Sequence, residues 1–212
     1  MKLVKRDCPI KMELCNIEEG CLDLVINLNN EEIKLADSYD LGDGFPTLLE
    51  VIYRLYGLLP EQNKSAYTDE IKITQVIDGL KMELWVPQKA SFYWDANGFT
   101  TNWEISKDPF IREDFEIKVK LEISREKDET KVFTVSYKDF CYALSKALTQ
   151  TLKIYGINGF HNGYLGADIN IRQLLFIKAI ALDAKDYIDI FWTKDGACSD
   201  LNKEIELLMF DM

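Results

Sequence analysis

The chain has 212 residues, enough for one domain of roughly 100–200 residues, and its 47% hydrophobic content with 12% aromatics can fill a core. Asp and Glu number 36 against 25 Lys and Arg, a formal net charge of -11 with a pI of about 4.7. That balance repels duplex nucleic acid, whose phosphates need a basic surface, and favours basic partners instead.

At the N-terminus, Asp7, Pro9, Lys11 and Glu13 interrupt any apolar stretch, so no signal peptide is expected. Nowhere do about 18 apolar residues follow one another, so no membrane contact is expected. The five cysteines are odd in number and form no CxxC pair, which points to reduced thiols in the cytoplasm, without a disulfide framework or structural zinc.

The first strand read from the pattern is "CLDLVINLN", where Leu22, Leu24, Ile26 and Leu28 alternate with Asp23, Val25 and Asn27. After the turn-prone Asn29 and Asn30, Ile33 and Leu35 continue the alternation, giving a hairpin. "DSYDLGDGFP" then places Asp37, Asp40 and Asp43 ahead of Pro46, which suits the first turn of a helix. Leu48, Ile52, Leu55 and Leu59 recur at helical spacing, predicting a helix over 46–56 that Gly57 and Pro60 end. Asp43 is the expected cap of its first N–H groups.

Strands are predicted at "LKMELWV", "SFYWD", "FTTNWEIS", "FEIKVKLEIS" and "KVFTVS", with a tight turn at Asn97 and Gly98. Phe92 and Trp94 share one strand face, which leaves Tyr93 on the other. The second half turns helical. Ser136 with Asp139 resembles a capping box, followed by Phe140, Leu144, Leu148, Leu152 and Tyr155 up to Gly156. A glycine-rich loop, a buried helix from 171 capped by Asn170, a strand at "DYIDIFWT" and a last helix capped by Ser199 complete the chain. The expected fold is a single α+β domain over 1–212, with a mainly antiparallel sheet of about six to eight strands and three or four helices mostly on one face.

Chemistry-bearing patterns are sparse. Counted as a calcium loop from Asp37, only the glycine at the sixth position fits, so Asp37, Asp40 and Asp43 predict no metal site. His161 is the lone histidine and Cys141 sits within a helical apolar pattern, so no Cys-His nucleophile is expected. No phosphate-binding glycine loop or GxSxG elbow occurs, and no catalytic residue or cofactor is assigned. Exposed aromatics rimmed by acids suit a basic protein partner. The candidate partner-binding residues are therefore Asp37, Tyr39, Asp40, Asp43, Tyr93 and Trp103.

The ordered phrases "LLEVIYRLYG", "FYWDANGFTTNWEIS", "VSYKDF" and "KIYG", within residues 20–160, resemble small uncharacterised bacterial α+β proteins, some of them immunity proteins of polymorphic toxin systems. What the resemblance implies is a non-catalytic binding module that occludes a basic toxin domain through an acidic face. The alternative is a small-molecule-binding or enzymatic domain using a carboxylate-lined pocket.

Overall fold

In a computed structural model of the chain, the residues described are 3–38, 44–56, 68–77, 80–96, 99–107, 115–124, 128–164, 168–194 and 196–212. The chain divides into two compact units: a terminal unit made of both chain ends, Met1–Leu35 with Lys138–Met212, and a central unit, Ala36–Tyr137. The class is α+β. Among the described residues the strands are distributed over sheets of three, five and two rather than gathered into one.

The terminal unit opens with β1 (Ile10–Glu18), β2 (Cys21–Leu28) and most of β3 (Glu31–Ser38), whose last residues belong to the central unit; the order is β1-β2-β3, with β1 antiparallel to β2. Glu19 and Gly20, then Asn29 and Asn30, take positive φ in the two connections, as two-residue hairpin turns require. Ile10, Met12 and Leu14 of β1 pair with Leu28, Ile26 and Leu24, so these residues share one face, buried in all but Leu28. At Asn16 (φ 53°) the register shifts, a bulge that closes the regular part of β1.

Helix α2 (Tyr137–Gly163) is broken at Gly156, whose φ of 70° and ψ of 172° leave the helical region. The expected end at Gly156 is thus a kink, and a second helical stretch follows in place of the expected loop. Asn170 caps α3 (Ile171–Ala181) through Gln173 N at 3.2 Å, as its sequence implies. "DYIDIFWT" divides into a 3-10 turn at Lys185–Tyr187 and the short strand β9 (Phe191–Thr193), antiparallel to β10 (Gly196–Cys198). The last helix, α4 (Leu201–Met209), is capped by Asp200, not Ser199: its Oδ1 accepts from Asn202 N at 3.0 Å and Lys203 N at 3.3 Å.

The central unit carries α1 (Gly44–Tyr56) and the strands β4 (Thr68–Ile77), β5 (Leu80–Ala96), β6 (Phe99–Lys107), β7 (Glu116–Ser124) and β8 (Glu129–Ser136), each antiparallel to the next. The two segments read as separate strands before the Asn-Gly pair are one long β5, which bonds β4 along Leu80–Ala90 and β6 along Lys89–Ala96. Pro87, which has no N–H, lies opposite the register shift at Asp69/Glu70 and outside the reach of β6. Ala96 pairs with Phe99, as the expected hairpin requires. Ile117, Val119, Leu121 and Ile123 of β7 are buried while Glu116 and Lys118 are exposed, so the alternation read from the sequence divides core from surface. Phe45, Leu48, Leu49, Ile52 and Leu55 form the buried stripe of α1, which packs on β5.

Candidate functional site: an uncovered sheet face and a cleft beside an edge strand

The predicted binding residues do not form one patch. Asp37 is buried at the end of β3, and its Oδ2 accepts from Phe45 N at 2.9 Å, capping α1 from eight residues upstream. A Cβ on Gly44 would fall against both the Trp94 indole and the Asp37 carboxylate, so glycine is needed where the chain enters the helix. The cap observed is thus Asp37, and its burial takes it out of reach of a partner in this fold. Tyr39, Asp40 and Asp43, including the expected cap, lie outside the described residues.

Trp103 is fully buried, stacked on Phe92 at 5.6 Å between ring centroids and tilted against Trp94 at 5.1 Å. It is core packing, on the face of the sheet opposite Tyr93. Tyr93 is 63% exposed, on the side its position in β5 implies.

Around Tyr93 the outward face of β5 to β8 is a grid of cross-strand rows. Tyr93 lies opposite Asn102, and Asn102 opposite Glu122. The Asn102 amide donates to Glu122 at 3.1 Å, and Lys120 meets the same carboxylate at 2.5 Å. Lys120, with Asn102, holds the Glu122 carboxyl below the usual range. In the next row, Ser91, Glu104, Lys120 and Val132 stand side by side, with Lys89 on Glu104 at 2.6 Å and Val132 53% exposed. Most polar groups here are held by a neighbour, while Tyr93 and Val132 present apolar surface.

The second candidate lies in the terminal unit, where β1 and α2 are tied at both ends. At one end Arg6 N donates to the Tyr142 hydroxyl at 3.3 Å, the Arg6 guanidinium pairs with Asp139, and Cys8 Sγ donates to the Asp139 carbonyl at 3.4 Å. At the other, Gly20 N donates to Gly163 O at 2.9 Å, and Gly163 sits so close to Ile17 that a Cβ would meet the Ile17 carbonyl at 2.9 Å. From Ile10 to Glu18 β1 spans about 26 Å, and from Asp139 to the break at Gly156 α2 rises about 26 Å, so the two elements are matched in length.

Between the ties is a cleft of about 720 Å³, within the roughly 300–1,000 Å³ usual for ligand sites. One wall is Ile10 to Leu14 of β1; the other is a helical stripe that includes Ala143, Lys146, Ala147, Gln150 and Ile154. Its charged lining is Arg6, Lys11, Lys146 and Lys153 against Asp7 and Glu13, so it is not the carboxylate-lined pocket of the alternative reading. Lys153 is shared with Asp211, which it bonds at 2.6 Å while Lys5 bonds the other oxygen at 3.0 Å; the two lysines hold the Asp211 carboxyl down at about 2.

Neither thiol near this cleft is prepared as a nucleophile. Burial pushes the Cys8 thiol up, the opposite of what a thiolate needs. Cys141 is fully buried, and about 22 Å of helical rise separates it from Gly156 alone. His161 lies beyond that break, with its Nδ1 2.9 Å from Asp168. No group of three or more His, Cys, Asp or Glu suited to a metal occurs among the described residues, and no described helix is long and apolar enough to cross a membrane.

Sequence reasoning missed β1 and the cleft with it, although Ile10, Met12 and Leu14 alternate with Lys11 and Glu13 plainly enough to signal a strand. The chain matches no family model, no curated protein and no solved structure.

Proposed function

We propose that the chain is a non-catalytic protein-binding module that captures a basic protein, such as the toxin domain neutralised by an immunity protein in the cytoplasm. The observation that carries this reading is the coincidence, in one unit, of the excess charge and the uncovered sheet face. Residues 36–137 hold 19 Asp and Glu against 12 Lys and Arg, which is -7 of the net -11. A surface of that sign accelerates encounter with a basic partner. Tyr93, exposed on a rigid sheet and ringed by polar groups that already have neighbours, is the type of side chain that anchors an interface at little ordering cost. Tyr39, Asp40 and Asp43, which lie outside the described residues, fall within the same stretch of sequence.

The test is co-expression with the product of the adjacent gene. The reading expects suppression of that product's toxicity, a one-to-one complex on size exclusion, and a loss of about 1–2 kcal/mol of binding for Tyr93→Ala. A non-toxic neighbour that forms no complex counts against it, as does a complex indifferent to both salt and Tyr93.

A further inference from the structure

Strand β1 is an edge: in the three-stranded sheet it bonds β2 alone. An edge strand turns every second N–H and C=O away from its sheet. Along Lys11 to Leu14 those outward groups have no backbone partner among the described residues, and they border the cleft. The strand wall from Ile10 to Leu14 spans about 13 Å, and the facing stripe from Tyr142 to Ile154 rises about 18 Å, room for about five extended residues. The ties at Arg6/Cys8 and Gly20/Gly163 flank the slot.

The chemistry of the walls selects among occupants. Ala143 and Ala147 lie along the cleft but are themselves buried, and the exposed apolar surface at its helical wall is Ile154. The lining has four cations to two carboxylates, the reverse of the whole chain's 25 to 36. Arg6 and Lys153 already face Asp139 and Asp211, but Lys11 and Lys146 have no carboxylate within ion-pair range among the described residues. At the far end Ile154 (76% exposed), Tyr155 and Ile157 form an apolar lip at the Gly156 break.

We propose that this cleft binds an extended acidic peptide segment of another protein, which adds to β1 as a further strand. Its backbone bonds the open edge of β1, its apolar side chains pack against Ile154, and its carboxylates meet Lys11 and Lys146. Main-chain bonds supply affinity in such strand addition, and the alternating side chains supply selection. The site lies wholly in the terminal unit and does not depend on the central unit's sheet face.

The probe is an end-blocked seven-residue peptide of alternating valine and glutamate, compared with its valine–lysine counterpart and with a glutamate version N-methylated on alternate backbone amides. The glutamate peptide is expected to bind, to slow amide exchange along Lys11 to Leu14, and to lose about tenfold in affinity with Lys146→Glu, a change at a half-buried position, with the fold checked by circular dichroism. N-methylation, which removes ladder donors but no charge, is expected to abolish binding. The proposal is overturned if the glutamate peptide does not bind, if the lysine peptide binds as well, or if N-methylation changes nothing. The last result would mark the cleft as a site for free anions. Protection of Lys11 to Leu14 that depends on protein concentration without peptide would assign the edge to a second copy of this chain and would equally overturn it.

Discussion

In each of the two units a lysine side chain is drawn inside to hold the carbonyl end of a helix, but the two do it differently. In the terminal unit, Lys178 is fully buried on α3 and donates to Thr149 Oγ1 at 3.1 Å, Leu208 O at 3.0 Å and Phe210 O at 2.7 Å, closing α4. In the central unit, Lys107 at the end of β6 is half-buried, donates to Leu55 O at the end of α1, and lies 5.0 Å from the Phe115 ring centroid. A cation at a helix C-terminus satisfies orphan carbonyls and meets the negative end of the dipole. The difference is one of dependence: three acceptors rely on Lys178, one carbonyl and a ring face on Lys107.

That difference sets the order of expected effects. Lys178→Met should cost on the order of 3 kcal/mol in urea unfolding, because removing the ammonium leaves several buried acceptors unsatisfied. Lys107→Met should cost about 1–2 kcal/mol, since one carbonyl is orphaned and the methionine can still cover the ring. Equal costs would mean that bond count does not distinguish the two sites. Asp37→Ala should cost about 1 kcal/mol through the lost cap of α1; no change in the unfolding midpoint would return the capping role to the loop ahead of the helix.

A smaller effect appears with pH. Burial pushes both lysines down to about 8, while an unfolded lysine titrates near 10.4. Between these values the unfolded state binds more protons, so stability rises with pH across about 8 to 10.4. Each Met variant should lose its share of that slope, and the two losses should be similar, since both lysines are pushed down to about the same value. A wild-type stability that falls through this window relative to Lys178→Met would show that the ammonium's bonds outweigh its burial.

What was legible in the sequence followed from local period. The α1 stripe, the pairing across Asn97 and Gly98, the alternation of β7 and the Asn170 cap all depend on neighbours a few residues away. What was missed depends on distant ones. Asp37 caps a helix eight residues on, where a local rule looks to Asp43. The stretch after Gly156 has the low helix propensity of its glycines, yet Phe160 and Tyr164 are buried and Gly163 fits against Ile17, so packing overrides it. Nothing near Lys178 in the sequence marks its role, because its acceptors are about 30 residues away in α2 and at the end of α4. Of the candidate binding residues, Tyr93 was readable because strand parity fixes its side, whereas Trp103 follows the same parity into the core.

The units also differ in what they leave open among the described residues: the central unit the outward side of β5 to β8, read through side chains, and the terminal unit a strand edge, read through backbone. The central claim is that the basic partner docks on the first of these. Amide exchange of the chain with and without the basic product of the adjacent gene tests it most directly. The account predicts slowed exchange along β5 to β8 around Tyr93 and Asn102, reduced by Tyr93→Ala and by added salt. Protection confined to residues 3–35 and 138–212, with β5 to β8 unchanged, would contradict it.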